Sequence, residues 1–83
     1  MKGKVYVNQG YVAIRIYSQY RESAEKYRDQ YVTVVFLQDG ERRRYRGKVW
    51  RTDYTYSVFI KERYADDFLR SLIGKEVEFE LEQ

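Results

Sequence analysis

The residues best suited to chemistry lie in one run, Arg42-Arg43-Arg44-Tyr45-Arg46-Gly47-Lys48-Val49-Trp50-Arg51, which holds six cations and no acid within ten residues. If the run is extended, side chains alternate with period two, so Arg42, Arg44, Arg46, Lys48 and Trp50 share one face. That makes a cationic ladder about 26 Å long at ~3.3 Å per residue. Such a ladder can track the phosphates of a nucleic-acid backbone, and Trp50 adds a surface on which a base can stack. Gly47 would let a partner approach closely. An opposing reading is equally physical: Glu76, Glu78, Glu80 and Glu82 form an acidic ladder of the same spacing. Were the two strands neighbours, the charges would pair across the sheet and cancel. A second basic and aromatic set, Arg15, Tyr17, Tyr20 and Arg21, offers further contacts, although Tyr20 and Tyr64 also suit packing at helix starts.

Other chemistries find little support. The chain has no His and no Cys, which removes the commonest general base, thiolate nucleophiles, disulfides and the usual zinc sites. Asp66 and Asp67 are adjacent, so on a helix they point apart; they suit a helix N-terminus better than a paired acid and base. Ser18, Ser23, Ser57 and Ser71 stand in no nucleophile constellation, and no Gly-rich phosphate loop is present. The expectation is a protein that is not an enzyme, with no cofactor and no metal.

Sixteen Lys and Arg against thirteen Asp and Glu give +3, a mild excess that permits a polyanionic partner. A chain of 83 residues is expected to form one domain, 1–83, that buries only ~60–65% of its unfolded surface, so function belongs on a surface. No apolar run approaches a membrane span, and Met1-Lys2-Gly3-Lys4-Val5 lacks a signal peptide's apolar stretch. A soluble cytoplasmic protein is expected. Frequent charges, more Arg than Lys and a single Asn suit a thermophile.

Aromatic residues make up 18% of the chain, which with abundant Val and Ile points to a mostly β fold. Val77, Phe79 and Leu81 alternate with four glutamates, the period of a half-buried strand. Ala65, Phe68, Leu69 and Leu72 have helical spacing within 64–73, with acids ahead and Gly74 behind. Tyr54, Tyr56, Val58 and Ile60 line one side of another strand, and Asp39-Gly40 is a hairpin turn between 31–37 and 42–50. The second half therefore reads strand, strand, helix, strand.

The first half repeats it. Gly3-Lys4-Val5-Tyr6 matches Gly47-Lys48-Val49-Trp50 at an offset of 44, and Val12, Ile14 and Ile16 match Tyr56, Val58 and Ile60 at the same offset. Tyr20 to Arg28 is helix-compatible, and after one residue of slippage Val32, Val34 and Phe36 fall on Val77, Phe79 and Leu81. The sequence thus predicts an internal duplication of residues 2–37 and 46–82, joined by 38–45. A unit this small cannot close its own core, so the two copies should complete one β-barrel with two short helices by exchanging strands.

Gly47-Lys48-Val49, then Tyr56-Ser57-Val58-Phe59-Ile60, Lys61-Glu62-Arg63-Tyr64-Ala65 and Leu72-Ile73-Gly74-Lys75-Glu76-Val77-Glu78-Phe79 resemble the AbrB-type swapped-hairpin element. The match covers 46–82, and more weakly 2–37. Lys61 and Tyr17 stand where that family has proline, and Lys75 where it has aspartate. The resemblance implies an internally duplicated β-β-α-β barrel like the tandem members of the MraZ type, and DNA contact through basic residues of one barrel face: Lys4, Arg15, Lys48 and Arg51. SH3-like and OB-type barrels are the structural alternative.

These observations converge on a small nucleic-acid-binding protein, DNA before RNA, either a transcriptional regulator or a chromatin-associated protein. Its contacts would be Arg42, Arg44, Arg46, Lys48 and Arg51 on phosphates, Trp50 stacking or packing, and Arg15 and Lys4 as further contacts. The alternatives are an antitoxin-like or other protein-interaction module, whose anchors would be Tyr and Arg, and an RNA-binding barrel. If the copies close on each other, the chain is a monomer.

Overall fold

A computed structural model describes residues 1–38 and 40–83. Six strands form a closed antiparallel barrel: β1 (Lys2–Asn8), β2 (Tyr11–Ile16), β3 (Tyr31–Gln38), β4 (Glu41–Thr52), β5 (Thr55–Lys61) and β6 (Glu76–Glu82). Two short helices, α1 (Arg21–Glu25) and α2 (Asp67–Ser71), follow β2 and β5, each behind a 3₁₀ turn (Ser18–Tyr20 and Glu62–Tyr64). Both helices are shorter than their spacing suggested. The Asp39-Gly40 turn falls between Gln38 and Glu41, which pair, although Asp39 itself lies outside the described residues. The joining segment 38–45 is largely strand.

Around the barrel the order is β1-β2-β5-β4-β3-β6. The strand β3 of the first half inserts between β4 and β6 of the second, and β6 closes onto β1, so strands of the two halves interleave. The registers repeat as well. Lys4–Arg15, Val5–Ile14 and Tyr6–Ala13 on β1–β2 become Lys48–Phe59, Val49–Val58 and Trp50–Ser57 on β4–β5 when 44 is added to each number. On β2–β5, Ile14 faces Val58, its own counterpart, and on β3–β6 Val35 faces Glu80, its counterpart at 45. The strand pairing therefore has a pseudo-two-fold axis through those two ladders.

The interior follows from alternation. Val5, Val12, Ile14, Ile16, Val32, Val34, Phe36, Val49, Tyr56, Val58, Ile60, Val77, Phe79 and Leu81 are buried, with Leu69 and Leu72 of the α2 region over one end. Two residues are not inside: Val7, which shares the inward parity of Val5, and Tyr54, expected on the inner side of its strand. Val7 is 55% exposed because β6 pairs with β1 only as far as Lys4, leaving the far end of β1 uncovered. Tyr54 is 79% exposed because it sits in the β4–β5 turn rather than on β5. Ala13, Val35 and Ser57 are buried although their position in the alternation faces outward.

Gly3 and Gly47, 44 residues apart, mark where the barrel is tightest. A Cβ on Gly3 would lie 2.5 Å from the Arg15 carbonyl oxygen, and one on Gly47 would lie 2.8 Å from Val58 Cγ1. Gly47 is buried, so the close approach it permits is by the barrel's own wall and not by a partner.

The second helix is held by a polar anchor. Asp66 caps α2 by accepting from the Leu69 amide at 2.9 Å, and the buried Tyr45 hydroxyl donates to both Asp66 carboxylate oxygens at 2.7 and 2.9 Å. Arg43 lies over the Phe68 ring, 4.2 Å from its centre, so its cation serves the helix seam. On the other half Tyr27 donates to the Leu81 carbonyl at 3.4 Å.

Candidate nucleic-acid interface

Strand β4 is the longest in the barrel, and its alternation is clean: Tyr45, Gly47 and Val49 point in, while Arg42, Arg44, Arg46, Lys48 and Trp50 point out. The outward ladder exists because the inward residues are the ones the core can accept.

The acidic ladder does not neutralise it across a shared edge. β6 pairs with β1 and β3, and β3 separates it from β4, so Arg44 faces Val35, which in turn faces Glu80. Two strand spacings, about 10 Å, divide the ladders. Among the described residues the side-chain ion pairs within 4.0 Å are Arg28–Asp29 and Arg43–Glu41, and neither involves an outward residue of the ladder. Arg46 donates to Thr33 Oγ1 at 3.2 Å, which fixes its direction without consuming its charge.

Lys48 is the most constrained member. It is half-buried, and its Nζ lies 4.3 Å from the Trp50 ring centre and 5.2 Å from that of Tyr31. The ammonium is held between two aromatic faces, an arrangement worth about 0.5–2 kcal/mol. Arg51 lies on the inward parity but at the barrel rim, exposed, with Nε donating to the Asp53 carbonyl at 3.1 Å. Lys4 and Arg15 are exposed and paired on β1–β2. A single row across four strands runs Lys4, Arg15, Ser57, Trp50. The candidates therefore fall into two groups, the β4 ladder and the Lys4–Arg15 pair, about 10 Å apart by two strand spacings between Arg15 and Trp50.

The structure adds residues that the β4 reading left out. Tyr11 on β2 packs edge-on against Phe59 on β5, their ring centres 5.7 Å apart, and both border Trp50. On one side of this cluster is a groove of about 310 Å³, bordered also by Asn8, Gln9, Arg51 and Thr52. On the other is one of about 190 Å³ that reaches Tyr31, Arg46, Lys48, Lys61 and Tyr64. At the offset of 44, Phe59, Lys61 and Tyr64 correspond to Arg15, Tyr17 and Tyr20 of the second basic and aromatic set. Tyr20 does pack against the core, but Tyr64 is half exposed and faces the groove. The missed signal was parity: Tyr11, Tyr31 and Phe59 are aromatic residues on the outward positions of alternating strands.

Among the described residues, no group of three or more acidic, His or Cys side chains is placed to hold a metal ion, and no helix is long and apolar enough to cross a membrane. What the arrangement offers is a cationic row beside an aromatic cluster, which can bind an anionic polymer carrying flat rings. Compared with protein-family models, with curated proteins and with solved structures, the chain matches none.

Proposed function

We propose that this chain is a small, non-enzymatic nucleic-acid-binding protein, DNA before RNA, that contacts phosphates through the outward face of β4. The observation that carries the reading is the ladder Arg42, Arg44, Arg46, Lys48: four cations on one face, outside ion-pairing distance of any described acid, continuous with exposed aromatic rings. A ladder needed only to balance charge would sit beside the acidic strand, and here β3 intervenes. The regulatory or chromatin role and the AbrB-type relationship belong to the same proposal; the interleaved β-β-α-β halves support the latter.

The test is binding of labelled single-stranded DNA, duplex DNA and RNA to the protein and to an Arg42→Ala/Arg44→Ala/Arg46→Ala variant. These side chains are exposed, so the variant should melt as the parent does. Binding to DNA lost by more than tenfold in the variant is the expected result. Equal binding by both proteins would remove the β4 face from the account.

A further inference from the structure

The pseudo-two-fold axis gives the barrel an internal control. Adding or subtracting 44 maps Trp50 onto Tyr6, Phe59 onto Arg15, Tyr11 onto Thr55 and Gln9 onto Asp53. The aromatic groove beside Trp50 accordingly has a counterpart of about 550 Å³ in the other half, bordered by Lys4, Tyr6, Arg15, Asp53 and Thr55 among others. The same place on the same scaffold holds Tyr11, Phe59 and Trp50 on one side, and Thr55, Arg15 and Tyr6 with Tyr54 nearby on the other. The barrel therefore does not require rings at Tyr11 and Phe59 for its own closure, whereas Trp50 has an aromatic counterpart in Tyr6.

The charge differs too. No acid borders either groove around Trp50, whereas Arg46, Lys48, Arg51 and Lys61 do. In the counterpart half Asp53 borders the groove and Glu76 stands opposite Lys4 on β6. The grooves around Trp50 thus set ring faces beside cations with no acid at their border, whereas the counterpart sets Tyr6 and Tyr54 beside Lys4, Arg15 and Asp53. Lys48 lies over the Trp50 ring, and among the described residues no second cation does so. Lys48 borders the smaller groove and not the 310 Å³ one, so it leaves the latter clear. Asn8, Gln9 and Thr52 supply hydrogen-bonding groups at the border of that groove, where the edge of a stacked ring would lie.

Resting on the proposed nucleic-acid reading, we infer that the groove between Trp50, Tyr11 and Phe59 is a nucleobase subsite, and that the ligand is single-stranded DNA with its phosphates along β4. A base can enter such a groove only when unstacked and unpaired, which a duplex resists. The phosphates on its flanks then meet Lys48, Arg46 and Lys61, and the aromatic contact is independent of base identity because every base has a π-face.

Trp50 is the sole tryptophan, so its fluorescence reports on the two grooves that its ring borders. The experiment follows Trp50 emission and labelled-strand anisotropy together while the protein is titrated with an oligothymidylate, with a duplex of equal length and with inorganic polyphosphate. Emission quenched by the single strand but little changed by polyphosphate, with the duplex at least tenfold weaker, is the expected outcome. Tyr11→Leu should weaken the single strand about tenfold, within the range for loss of one stacking partner. Tyr54→Leu, which removes a more exposed ring from the counterpart groove, should leave it within twofold. Single-strand binding with unchanged Trp50 emission and no effect of Tyr11→Leu would overturn the subsite while leaving the β4 reading intact. A duplex bound as tightly as the single strand would also overturn the subsite, and absence of any nucleic-acid binding would overturn both.

Discussion

Ile14 on β2 faces Val58 on β5, the residue 44 positions further along the chain, and both are fully buried. The two halves of the sequence meet at this pair, each supplying one side chain to the same point of the core. Truncation here removes packing from both halves at once. Ile14→Ala should cost about 2–5 kcal/mol, the range for large-to-small core changes. Because the side chains are neighbours, adding Val58→Ala should give a total that departs from the sum of the single variants by more than ~0.5 kcal/mol. Denaturant melts of the four proteins measure both quantities.

Gly3 and Gly47 are expected to resist the smallest possible substitution. Alanine suits a strand better than glycine does, yet an added methyl at either position meets the neighbouring strand at 2.5–2.8 Å. Gly3→Ala should be the worse, since it strikes a backbone carbonyl that cannot rotate away, whereas Gly47→Ala first meets a valine methyl. Destabilisation of about 1–3 kcal/mol is the scale for overpacking. Thermal melts showing either variant more stable than the parent would contradict the close approach.

The α2 cap makes stability depend on acid. The Leu69 amide foremost, and the Tyr45 hydroxyl after it, hold the Asp66 carboxyl below its ordinary range. A carboxyl lowered in the folded state contributes fully above its unfolded value, near 4, and loses that contribution as pH falls through the lower folded value. Asp66→Ala should therefore cost about 1 kcal/mol at neutral pH. The gap between variant and parent should narrow as the pH falls below the unfolded carboxyl's value near 4. A gap that widens in acid would reverse the sign of the argument.

Much of the barrel is readable in the sequence, and the exceptions share a cause. Val77, Phe79 and Leu81 announce their strand because one face is dry and the other wet, and the repeat is visible because spacing survives through three strands. Val7 follows the same rule and fails it, since alternation says which way a side chain points and not whether another strand reaches that far. Ala13, Val35 and Ser57 are the converse: they point outward and are buried, and Ser57 is reached by Tyr6 from the adjoining row, whose hydroxyl donates to Ser57 Oγ at 3.2 Å. The relation between the Arg and Glu ladders is fixed by the insertion of β3, which no local pattern encodes. The β4 ladder was legible because one strand carries it. The aromatic cluster draws Tyr11, Tyr31, Trp50 and Phe59 from four strands, and only the registers bring them together.

Closure of the barrel bears on assembly. The hydrophobic faces of the two halves meet within one chain, and β6 pairs with both β1 and β3. No second copy is needed to complete the core, unlike an obligate dimer whose stability rises with protomer concentration. The protein should scatter light as a monomer at micromolar concentration, and its melting temperature should not change over a hundredfold dilution. A chain mass doubled in scattering, or a melting temperature that falls on dilution, would show that the copies pair between chains.

The central claim, that β4 binds a nucleic-acid backbone with its cations, is tested most directly by the salt dependence of single-stranded DNA binding. Four phosphates neutralised by Arg42, Arg44, Arg46 and Lys48 give a slope of log affinity against log salt of about −3, from roughly −0.7 per phosphate on single strands. The Arg42→Ala/Arg44→Ala/Arg46→Ala variant should flatten that slope by about 2. An affinity that does not change with salt, or a slope the triple variant leaves as steep as the parent's, would contradict the account.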